Sequence, residues 1–138
     1  MPAQAGPSST ATSTATSASD TGTSNQRVSA GSLPGLRVVA VAPRTARVGE
    51  EIAVVLRWRD SSGRVFGSLE EWGDVGVGSS APPTCEPGAV DRRGGAGSQR
   101  LTHTWDTAGT WNVRLSVTTG GCGVRTQERT VEFPVTVS

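Results

Sequence analysis

The chain has 138 residues, with 13 basic and 12 acidic side chains and a formal net charge of +1. That length holds one domain with a tail rather than two cores. The balanced charge and the lack of a basic run exclude the electrostatic footprint of a nucleic-acid binder, and no apolar run approaches the roughly 20 residues that cross a bilayer, which excludes membrane insertion by this sequence.

The first 33 residues open with MPAQAGPSSTATSTATSASD and are almost wholly Ser, Thr, Ala and Gly. They offer too little apolar surface to offset the entropy of ordering them, so a disordered linker is expected over 1–33. Ser/Thr-rich tracts of this kind serve as stalks outside cells. The stretch lacks the charged and apolar regions of a secretory signal. Two settings stay open: a cytosolic protein, or an exported one whose signal or anchor has been removed.

From residue 34 to 138 a period of two takes over. EEIAVVLRWRD places Ile52, Val54, Leu56 and Trp58 on one side and Arg57 and Arg59 on the other, which is a half-buried strand. GTWNVRLSVTT repeats this with Trp111, Val113, Leu115 and Val117, and RTVEFPVTVS with Val131, Phe133, Val135 and Val137. Pro134 donates no ladder hydrogen bond, so its strand lies at an edge or turns that position away from its partner. The expected strands are 36–42, 50–59, 64–72, 82–86, 99–105, 110–119 and 126–137, separated by turn signals such as RDSSGR, GDVGVGSS and TGGCG. No segment carries a helical period. The pattern predicts an all-β, immunoglobulin-like sandwich of two sheets and about seven strands.

All 13 basic residues are arginine, which reads as codon bias and solvated surface rather than guanidinium chemistry. Cys85 and Cys122 fit no zinc spacing, and one histidine cannot complete a four-ligand site. Both cysteines sit in Gly/Pro-rich loops that a sandwich can bring together at one end. Bonded, they close a loop of about 38 residues worth about 4 kcal/mol on the chain-entropy model and point to an oxidising compartment. The alternative is a pair of buried free thiols.

His103 with Asp74 or Asp106, and Ser116 or Thr104 as nucleophile, form the one constellation that suggests a hydrolase. A compact sandwich with short turns rarely builds the pocket such a triad needs. A structural histidine is the preferred reading, with no catalytic residue. Glu70, Glu71 and Asp74 cluster at a turn but lack the spaced ligand loop of a calcium site, so no metal or cofactor is expected. With no tyrosine and two phenylalanines, the four tryptophans are needed for the core. Trp58, ending a strand, and Trp72, beginning a turn, are the candidates for an exposed glycan-stacking face.

THTWDTAGTWNVRLSVTT resembles the signature of the PKD domain (the polycystic kidney disease repeat), an immunoglobulin-like sandwich. His103, Trp105, Gly109 and Trp111 stand at the motif's late-strand positions, and EEWGDVG, with Trp72, Gly73 and Asp74, resembles its early turn. Tryptophans at 105 and 111 replace the family's tyrosines, Glu70 replaces its core Trp, and Val75 follows Asp74 where glycine is usual. The resemblance covers roughly residues 36 to 138. It implies a non-enzymatic module of secreted or cell-surface proteins, a spacer or a mediator of protein or polysaccharide contacts, and part of a larger multidomain protein.

Overall fold

The computed structural model describes residues 24–138. These form nine strands: β1 (Asn25–Gly31), β2 (Leu36–Pro43), β3 (Thr45–Ala46), β4 (Glu51–Asp60), β5 (Arg64–Glu71), β6 (Gly76–Ser80), β7 (Gly95–Thr104), β8 (Gly109–Gly121) and β9 (Val124–Val137). Two sheets face each other, one ordered β1-β2-β4-β7 and the other β3-β9-β8-β5-β6. Every pairing is antiparallel except β3 with β9. This is the immunoglobulin-like sandwich that the alternation predicts.

The core lies between the sheets because one face of each strand is apolar. Leu36, Val38, Val54 and Leu56 come from the four-stranded sheet, and Val113, Leu115, Val117, Val131, Phe133 and Val135 from the five-stranded one. Trp105, which no solvent reaches, fills the space between them at one end. Pro134 sits opposite Asn112, and its ladder side points away from β8, as expected. Two residues on, the Thr136 N–H on that same side bonds Arg44 O at 3.0 Å.

The first expected boundary is corrected. The linker was expected to run to residue 33, but Asn25–Gly31 is a strand paired along its length with Arg37–Pro43. Val28 and Ala30 pack on the core, and buried Gln26 donates through Nε2 to Pro43 O at 3.3 Å and to Pro134 O at 2.7 Å. Polar composition hides the strand because its stability comes from β2. The remainder of the expected linker, 1–23, lies outside the described residues.

The expected strand at 82–86 is also corrected. Pro82 and Pro83 lack donors there, and the strand forms earlier, at Gly76–Ser80 against β5. The described residues thus hold nine strands rather than about seven.

Strand direction defines two poles. One gathers the end of β7, the start of β8 and the turn after β5; the other gathers the ends of β4 and β8 and the 81–94 loop. The described chain both begins and ends at the first pole, since Arg44 N donates to Ser24 O at 3.1 Å and Ser138 N to Ala46 O at 3.0 Å.

Candidate functional site

At the first pole the motif residues meet. β5 ends at Glu71, and the turn that follows is closed by Trp72 N donating to Val75 O at 2.9 Å. Gly73 holds φ +97° in that turn, and a Cβ there would lie 2.9 Å from the ring of Trp111. Glycine is required on both counts. The turn folds the Trp72 indole inward to 2% exposure. The expectation of Trp72 on an exposed ligand face is therefore wrong: its place next to a turn suggests solvent, but the turn tucks the ring beneath its neighbours.

His103 stacks on Trp72, with centroids 4.8 Å apart and planes 9° apart. Trp105 meets the same imidazole edge-on at 4.8 Å and 79°. Such offset and edge-to-face contacts suit the ring quadrupoles. Asp74 completes the group, its carboxylate 2.9 and 3.1 Å from His103 Nε2.

The indole donors are engaged as well. Trp105 Nε1 donates to Trp72 O at 3.0 Å, Trp72 Nε1 to Glu70 Oε1 at 3.2 Å, and Trp111 Nε1 to Thr107 O at 3.0 Å across the turn before β8. Gly109 opens β8 with φ +149°. Trp111, expected in the core, is half-buried at its margin. Trp58 is half-buried too, its ring lying over Gly97, where a Cβ would come within 2.6 Å of it.

Of the chemistry that the sequence suggests, the structure assembles only the His103–Asp74 pair. Ser116 belongs to β8, where its hydroxyl bonds Thr130 at 2.7 Å. Thr104 follows His103 in β7 and so points to the opposite face. Asp106 is exposed in the next turn. The acidic side chains at the turn diverge: Glu70 serves Trp72, Glu71 pairs with Arg114 at 3.2 Å, and Asp74 serves His103. Among the described residues no three His, Cys, Asp or Glu side chains gather as cation ligands.

The second pole carries the cysteines. Cys85 and Cys122 are bonded, with Cα atoms 5.5 Å apart, and the bond ties the 81–94 loop to the β8–β9 hairpin. Asp91 N donates to Cys122 O at 2.6 Å. The Arg93 guanidinium grips the Asp91 carboxylate with two hydrogen bonds of 2.9 Å and holds its carboxyl well below the usual carboxylate range.

Asp60 lies beneath this loop and is the residue that sequence reasoning missed. It is 3% exposed and accepts from Ser62 N at 2.9 Å, Gly63 N at 3.0 Å and the Thr119 hydroxyl. Burial by itself pushes its carboxyl up, but these donors outweigh it and hold the group below its ordinary value. The DSSG run was the available signal, an aspartate beginning a turn that its own side chain closes.

No family model and no curated protein matches the chain. Among solved structures it is similar to the PKD domain of an M14-like peptidase from Thermoplasmatales archaeon SCGC AB-540-F20, at 16% identity and a TM-score of 0.49, over 83% of this chain and 98% of that one. It is also similar to a Niemann-Pick type C2 protein from Japanese carpenter ant, at 11% identity and a TM-score of 0.39, over 68% of this chain and 79% of that one. By its own strand order the chain folds as an immunoglobulin-like sandwich of two sheets, with the Trp72–His103–Trp105 group joined at one pole.

Proposed function

We propose that this chain is a non-catalytic module of an extracellular protein and that it acts through surface contacts. The observation that carries the reading is that the His103–Asp74 pair has no nucleophile beside it. The imidazole lies between two indoles, and its Nε2 is taken by Asp74. The Ser116 hydroxyl is engaged by Thr130 and Thr104 faces away, so the group pins the turn after β5 to the end of β7 rather than turning over a substrate. The Cys85–Cys122 bond supports an oxidising, extracellular setting.

The partner class is a protein or a polysaccharide at the cell surface.

Two measurements test this reading. Hydrolysis of a panel of activated esters and glycosides is expected to be indistinguishable between the natural chain and His103→Ala; turnover lost with His103 would make the protein an enzyme. Thiol titration of protein made in an oxidising and in a reducing compartment is expected to find the bond only in the former. A reduced protein as resistant to unfolding as the oxidised one would remove the support for export.

A further inference from the structure

Strand register gathers what the sequence scatters. On the solvent face of the four-stranded sheet, Arg37 lies directly opposite Arg59, Arg57 opposite Val39, Arg27 opposite Val41 and Arg100 opposite Val55. Arg27, Val41, Val55 and Arg100 thus form one row across all four strands. With strands about 4.8 Å apart and same-face residues about 6.8 Å apart, the five guanidinium groups share a patch on the order of 14 Å square.

Within these strands the outward positions carry one carboxylate, Glu51, at the far end of β4. None of the five arginines forms an ion pair with a described carboxylate. The solvent face of the other sheet is the reverse: Arg114 is paired with both Glu71 and Glu132, and Glu128 adds a further negative charge. The net charge of +1 conceals two oppositely charged faces.

Like charges directly opposite each other across two strands are destabilising. The Arg37–Arg59 pair therefore costs the free domain stability that a bound anion would return. We propose that this face binds an acidic polysaccharide, a linear chain bearing carboxylates on its sugar rings.

Three features select that partner. Guanidinium groups recognise carboxylates by paired, charge-assisted hydrogen bonds. The half-buried Val41 and Val55 between Arg27 and Arg100 offer apolar contact to the C–H surface of sugar rings, with a cation at each end of the row to meet their carboxylates. No aromatic side chain faces outward on these strands, which removes the stacking platform that single-stranded nucleic acids use. The inference concerns a different face from the His103 group and stands whether or not that group is catalytic.

The test titrates size-defined oligogalacturonate into the full oxidised chain by calorimetry, with a DNA duplex and single-stranded DNA of equal charge as parallel arms. Binding is expected to oligogalacturonate, weakening at least about tenfold as salt rises from about 50 to about 200 mM. Arg37→Ser with Arg59→Ser is expected to weaken it about tenfold or more while leaving the melting temperature unchanged or raised, as relief of like-charge repulsion requires. Arg92→Ser with Arg93→Ser, on the 81–94 loop, is expected to leave binding unchanged. Should the first pair fail to fold, Arg27→Ser with Arg100→Ser on the outer strands asks the same question. No binding, equal loss in the loop variant, or tighter binding of either DNA would overturn the proposal.

Discussion

The two poles of the sandwich are held by different physics. At the first, Trp72, His103, Trp105 and Trp111 are joined without a covalent bond, by ring contacts and by indole N–H groups aimed at oxygens. At the second, Leu36 and Phe66 pack without such a ring cluster, and a disulfide and one buried carboxylate add the constraint. The contrast shows two ways to close a sandwich: a cluster of stacked rings secures one end, and a crosslink with a buried carboxylate secures the other.

Substitutions at each pole sharpen that contrast. Trp105→Ala is expected to cost about 3–5 kcal/mol in denaturant unfolding, as for a fully buried aromatic. Trp111→Ala, at the half-exposed margin, should cost less than half as much, and equal costs would place both rings in the core. Removing the disulfide by Cys85→Ser with Cys122→Ser should cost about 2–4 kcal/mol. A larger loss than at Trp105 would make the crosslink, not the indoles, the dominant constraint.

Asp60→Ala leaves buried donors without an acceptor and should cost about 1–3 kcal/mol. Because the fold holds the Asp60 carboxyl below its ordinary value of 3.8, the stability it contributes is present above that value and is lost as pH falls through the lower folded one. Unfolding followed between neutral pH and about pH 2 should therefore show an acid loss that is smaller in Asp60→Asn. The smallest effect, about 1 kcal/mol, is expected for His103→Gln, read as a drop in melting temperature. A drop as large as that of Trp105→Ala would make the imidazole the keystone of its pole.

Much of the sandwich is legible in the sequence because β4, β8 and β9 each bury alternate apolar residues, and period two needs no partner to be recognised. The cysteine pair is legible because both positions fall in loops at one end. β1 and β6 are not legible for the opposite reason: NQRVSAG and GVGSS have little apolar pattern of their own, and each is a strand only because a neighbour supplies the ladder. Trp72 is misread because chain position indicates a turn but not which way the turn folds its ring. The arginine face is invisible because its members come from four strands, and only register places Arg37 against Arg59.

The added strand β1 has a mechanical consequence. Without it the domain would begin at Leu36, which lies opposite Asp60 at the second pole, and tension between its ends would run the length of the sandwich. With β1 in place, Ser24 and Ser138 both adjoin residues 44–46. Pulling them apart loads the outermost hydrogen bonds of β1 and of the short β3–β9 pair one at a time, as a zipper opens, instead of shearing a whole ladder at once. The geometry thus predicts unfolding at low force for a pull between Ser24 and Ser138, whatever stability the core confers.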